Sequence, residues 1–133
     1  MKAFFDTSVY INTFFRKVLT KKEFTAYFDL FEIVICPIVK HELLLGTIHQ
    51  HTREQLEKFF DKCPIISPPS NAQWDEVTTV MRKLNWKENR QQNDVLIALL
   101  AKDEPATVIT YDKHFQPIKK HVDFELIVLE EKK

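Results

Sequence analysis

Glycine is nearly missing from this 133-residue chain: Gly46 is the only one. A P-loop or a dinucleotide-binding fingerprint needs several glycines so that backbone can approach phosphate closely. Neither can be present, so any phosphate chemistry must run through side chains or metal ions. Cysteine is scarce as well. Cys36 and Cys63 lie far apart in apolar surroundings, which reads as two reduced thiols and not as a disulfide framework. Zinc-ligand spacing around them is absent. No apolar run approaches the length of a membrane span. No signal peptide is read at the start, because Asp6 interrupts the first apolar run too early. A soluble, cytoplasmic protein is expected. Net charge is also missing, since Lys plus Arg and Asp plus Glu each total 19. That argues against sequence-blind nucleic-acid binding by the whole surface, and leaves room for local basic patches.

What is there is an ordinary globular composition, with 44% hydrophobic residues. The length fits a single domain over residues 1–133. Strand-like runs fall at Lys2–Phe5, Glu32–Cys36, Pro64–Ile66, Thr107–Thr110 and Glu125–Leu129. Helical patterns lie between them: Asn12–Phe31 as one or two helices with Thr20 as a cap, then Ile38–His49. Next come Thr52–Cys63 with a capping-box-like Thr52-x-x-Gln55, then Ser70–Leu84 and Asn93–Lys102. Short buried strands alternating with helices predict an α/β fold, three-layer α/β/α, around a parallel sheet of four or five strands. In such sheets ligands bind beyond the carboxyl ends of the strands, where strand order reverses.

That rule selects among the acids. Asp6 directly follows the first strand. Asp112 comes two residues after the run Thr107-Val108-Ile109-Thr110. Asp94 is expected at the start of a helix. Glu42 sits in the first half of Ile38–His49, on a polar stripe or in a lined cavity. Each alone reads more readily as a turn, cap or solvated residue. Together at one sheet edge they would repel strongly, and clustered carboxylates are retained chiefly where a cation neutralises them. Hard oxygen ligands of this kind select Mg²⁺ or Mn²⁺.

Four stretches now carry a family resemblance: Phe5-Asp6-Thr7-Ser8-Val9, Glu42-Leu43-Leu44-Leu45-Gly46, Asn93-Asp94-Val95-Leu96-Ile97-Ala98 and Thr110-Tyr111-Asp112-Lys113-His114-Phe115. In order and spacing the chain resembles the PIN-domain ribonucleases, most of all the VapC-type toxins of VapBC toxin–antitoxin pairs. The resemblance implies that Asp6, Glu42, Asp94 and Asp112 converge as catalytic residues on one or two Mg²⁺ or Mn²⁺ ions. Thr110, and Thr7 or Ser8, would support them. It implies a metal-dependent endoribonuclease with an RNA substrate, an antitoxin protein as partner and a homodimer as the usual state. The last motif departs from the frequent Thr-Arg-Asp-x-Asp-Phe. Tyr111 replaces the Arg, and His114 stands where an acid is common. His114 is then a surface residue, a phosphate contact or a proton shuttle.

Two basic clusters are RNA-binding candidates: Arg16 and Lys17 with Lys21 and Lys22, and Arg82, Lys83, Lys87 and Arg90. Phenylalanine is frequent, 11 residues in all. Phe14, Phe15, Phe24, Phe28 and Phe31 are read as mostly core, with some lining a groove for an antitoxin helix or a homodimer seam. His49 and His51 read as surface residues, and Trp74 and Trp86 as core or helix-edge anchors. The alternative function is a non-catalytic PIN-like RNA- or protein-binding module with a weakened metal site. Two further readings fit less well. A haloacid-dehalogenase-type phosphatase needs Asp-x-Asp where this chain has Asp6-Thr7-Ser8, and the central acid of a receiver domain cannot be placed.

Overall fold

Four apolar runs form the strands β1 (Lys2–Phe5), β2 (Glu32–Ile33), β3 (Ala106–Thr110) and β4 (Glu125–Val128) in a computed structural model of the chain. It describes residues 1–47 and 49–131. The strands make one all-parallel sheet in the order β2-β1-β3-β4. Helices cover it as a three-layer α/β/α sandwich. Covering explains the composition of the central strands: Phe4, Phe5, Val108 and Ile109 are fully buried, although successive residues point to opposite faces.

The helices are α1 (Thr7–Tyr10), α2 (Lys21–Leu30), α3 (Pro37–Gly46), α4 (Gln50–Asp61), α5 (Asn71–Leu84), α6 (Asn89–Asp103) and α7 (Phe115–Lys119). A π-helical turn, Ile11–Phe15, continues α1, closed by the Arg16 N–H donating to Ile11 O at 2.9 Å. The predicted Asn12–Phe31 helix therefore splits. Lys17, at φ 55, takes a left-handed conformation that breaks it, and Thr20 starts α2 through a capping box with Glu23. Ser70 and Gln73 do the same for α5.

Several predicted boundaries move. Thr52 lies inside α4, which His49 precedes without a side-chain cap. The prediction for Ile38–His49 crosses Ile48, which lies outside the described residues; α3 itself ends at Gly46. Glu32–Cys36 pairs over only two residues. Ile35 instead forms a single parallel bridge with Ile65, so the anticipated fifth strand, Pro64–Ile66, reduces to that bridge. Pro64 has no N–H to extend the ladder. Helix α6 begins four residues before the predicted Asn93. The N–H groups of Lys87 and Glu88 both donate to Gln91 Oε1, at 3.2 and 3.1 Å, and close its first turn. Its polar opening hides that turn from an apolar-periodicity reading.

Register positions the site. Phe4 pairs with Val108 and Phe5 with Ile109, so β1 and β3 end level at the centre of the sheet. Strand order reverses here, with β2 on one side of β1 and β3 on the other. Phe5 anchors β1 to the helices through ring contacts with Phe24, Tyr27 and Tyr10 at 4.6, 5.7 and 5.8 Å. Replacing Phe5 with Ala is expected to cost about 3–5 kcal/mol of stability in urea unfolding. A loss below about 1 kcal/mol would contradict this packing.

Candidate metal centre

Asp6 is the first residue past β1 and is only 6% exposed. Its backbone N–H donates to Ile109 O at 2.9 Å, which sets it beside Thr110. Thr110 Oγ1 donates to Asp6 Oδ2 at 2.8 Å. Ser8 Oγ lies 3.1 Å from the same oxygen and 3.2 Å from Thr110 Oγ1, so its single hydrogen serves one of the two. Both hydroxyls are held in turn by backbone: Tyr111 N–H donates to Ser8 Oγ at 3.0 Å, and Asp112 N–H to Thr110 Oγ1 at 2.9 Å. Asp112 is pinned by His114, whose backbone N–H donates to Oδ1 at 2.8 Å and whose Nδ1 lies 2.9 Å from the same atom. The rest of the His114 ring faces solvent.

Glu42 reaches the site from the middle of α3 and Asp94 from the second turn of α6. Asp94 is therefore not a helix-start acid, and its role is not capping. Asp94 feels the other three carboxylates. Burial, then Asp6, Asp112 and Glu42, push the Asp94 carboxyl up to about 8, with Arg90 opposing. Burial and Asp6 raise Glu42, against Arg90 and His41. Burial raises Asp6 as well, offset by the donors from Thr110, the Thr7 backbone and Ser8. Among the described residues, no three His, Cys, Asp or Glu side chains stand together as a ready metal cage. The donor set nonetheless suits a hard divalent cation: all oxygen, half-buried, and costly to charge without a neutralising partner.

The expected supporting residues divide. Ser8 and Thr110 touch Asp6. Thr7 supplies only its backbone N–H, and its Oγ1 is buried without a partner. Of the basic candidates, Arg90 alone is electrostatically linked to the acids. Arg16 is tied to Asn12 Oδ1 at 3.1 Å and Glu131 Oε1 at 2.7 Å. Lys17 and Lys21 border a groove between α2 and α4 instead. Arg82 and Lys87 are exposed.

An adjoining groove between α2 and α4, about 660 Å³, is lined by Phe14, Phe24, Phe28 and Phe59 together with Lys21, Lys58 and Lys62. The sequence reading missed the α4 contribution, although Lys58, Phe59 and Lys62 recur there at helical spacing. Phe31 only packs partly against the core, as do Trp86 and Cys63, while Trp74 is exposed. His49 and His51 are exposed, as expected. Both cysteines are free, and burial pushes the Cys36 thiol up to about 12. No helix among the described residues is long and apolar enough to cross a membrane.

The PIN domain model matches residues 3–120, and the chain belongs to that family. Solved structures of similar fold include VapBC2 from Rickettsia felis bound to a DNA fragment from their promoter. The TM-score is 0.75 at 22% identity, covering 98% of this chain and 100% of that one. VapBC-1 from nontypeable Haemophilus influenzae gives 0.70 at 20% identity, covering 96% and 98%. FitAcB from Neisseria gonorrhoeae gives 0.61 at 18%, covering 96% of each chain. No curated protein matches the sequence.

The raised Asp94 carboxyl has a stability consequence. Its folded-state value, about 8, lies above its ordinary 3.8, so the native state holds this proton more tightly than the unfolded chain. Stability should fall as pH rises from about 4 through about 8. In EDTA, Asp94→Asn should melt a few degrees above wild type at pH 8, with the gap closing toward pH 4. Calorimetry showing equal melting at pH 8 would refute this.

Proposed function

We propose that this chain is a Mg²⁺- or Mn²⁺-dependent endoribonuclease, acting as the cytoplasmic toxin of a VapBC-type pair. The observation that carries the reading is geometric: Asp6 and Asp112 follow β1 and β3 where these central strands end level, joined through Thr110, and Glu42 and Asp94 lie near enough to feel the Asp6 charge. These four would hold one or two ions. Such an ion supplies a water of lowered pKa and charge stabilisation for phosphodiester hydrolysis. The chain's own contribution is positional. Ser8 and Thr110 fix the Asp6 carboxylate, His114 fixes Asp112, and Arg90 offers a cation to an approaching phosphate. Arg82 and Lys87 extend that basic side as further candidates for backbone contact.

The toxin assignment is supported by fold likeness over nearly whole chains to structures described as VapBC. It is also supported by the groove between α2 and α4. Four phenylalanines alongside three lysines suit an amphipathic helix with acidic flanks, as an antitoxin would present. The chain is read as one domain and as a homodimer. A second reading, a PIN-like binding module without catalysis, is favoured by the lack of a ready three-acid cage among the described residues and by His114 in the last motif.

RNA cleavage separates the two. With Mg²⁺ or Mn²⁺, wild type should cut RNA, and Asp6→Asn or Asp94→Asn should each lower the rate at least about 100-fold. Cleavage by the variants at the wild-type rate would overturn the ligand assignment. Inert wild type, with no heat of Mn²⁺ binding, would favour the module.

A further inference from the structure

A second cavity, about 300 Å³, opens between the π-helical turn and α3 and shares Glu42 with the acidic site. Whatever enters it lies beside the carboxylates. Its size is at the small end of ligand pockets, room for one ring system and too little for a helix. Ile11 and Phe15 line it and are 38% and 39% exposed, so an apolar surface lies open beside Glu42. Thr7 lines its wall, with Oγ1 buried behind the surface. This is the one buried side-chain polar atom among the described residues with no hydrogen-bond partner. Leaving such a group unpaired is unfavourable, and native structures do so rarely. Thr47, on the same wall, is already satisfied by Leu43 O.

Gly46 supplies the remaining feature. Its φ is not positive, so its backbone does not require glycine. A Cβ built there would meet nothing within 4 Å. The only glycine in the chain therefore leaves room at the cavity edge and answers no conformational need.

We propose that this cavity is a nucleobase subsite for the nucleotide flanking the scissile phosphate, with Phe15 stacking on the base and Thr7 Oγ1 reading its edge. The proposal rests on the ribonuclease reading above. An aromatic face stacks on any base, because every base has a π-face. A hydroxyl can donate or accept, so it can pair with a base edge of either polarity. Threonine has two accessible χ1 wells near a helix start, which lets Oγ1 turn to an incoming partner.

The test uses the Asp94→Asn chain, so that RNA stays intact, and short oligoribonucleotides carrying 2-aminopurine at each position in turn. One position should show quenched fluorescence. Phe15→Ala and Gly46→Leu should each abolish that signal and weaken binding about tenfold. Both sites are open to solvent or space, so circular dichroism should show both variants folded; if one is not, the other gives the same reading. In the active chain, cleavage of a mixed-sequence pool should prefer one base at one position, and Thr7→Val should level that preference about tenfold. If wild type cuts RNA but the preference ignores all three substitutions, the subsite is refuted and the nuclease stands. If wild type cuts nothing while the quenching persists and answers to Phe15→Ala, the nuclease reading fails and the subsite stands. If the substitutions change only the oligomeric mass, the cavity holds protein and the proposal is overturned.

Discussion

A carboxylate as buried as Asp6 has to be met by donors, and the whole carboxyl edge of the sheet is arranged to meet it. Thr110 Oγ1, Ser8 and the Thr7 N–H all reach it. They come from residues about a hundred positions apart, so their meeting depends on the β1–β3 register. Shift that pairing by one residue and Thr110 turns to the opposite face, away from Asp6. The hydroxyls are in turn fixed by the N–H groups of Tyr111 and Asp112. The turn after β3 thus does two jobs: it orients the support of Asp6 and presents Asp112 within reach of the same pocket.

Hydrogen-bond donors meet Asp6 and Asp112, whereas burial and neighbouring charge govern Glu42 and Asp94. Burial, and then the charges of Asp6, Asp112 and Glu42, raise the proton affinity of Asp94. The contrast separates two ways of housing acid. At Asp6 burial is partly offset by hydrogen-bond donors, and at Asp94 burial and like charge act together, opposed by Arg90. Arg90 opposes both Asp94 and Glu42, but it is an exposed side chain and is screened by water. Zero net charge over the whole chain therefore conceals a strongly polarised interior edge.

The sequence made the acids legible because each sits where a strand run stops or a helix interrupts its apolar pattern. Asp6 and Asp112 were readable from β1 and β3 alone. The start of α6 was not, since its first turn is polar and is closed by Gln91, which no hydrophobic period marks. Thr52 resembled a cap in pattern and is not one. A cap depends on backbone conformation before the helix, which the spacing of Thr52 and Gln55 does not encode. The roles of Thr7 and Ser8 were interchangeable on paper. Only the helical path of α1 decides that Ser8 turns toward Thr110 while the hydroxyl of Thr7 turns away.

The same path divides the aromatics. Tyr10, Phe14, Phe24 and Phe59 form one ring cluster with centroids between 5.4 and 6.3 Å apart, and this cluster backs the groove between α2 and α4. Phe15, next to Phe14, faces instead the cavity that Glu42 borders. The π-helical turn keeps the chain helical through Phe15 before Lys17 breaks it, and π turns of this kind concentrate at functional sites. Two neighbouring phenylalanines thereby serve two different surfaces, one lined also by lysines and one beside the carboxylates. A run that composition marks simply as core is, in the fold, the hinge between the two.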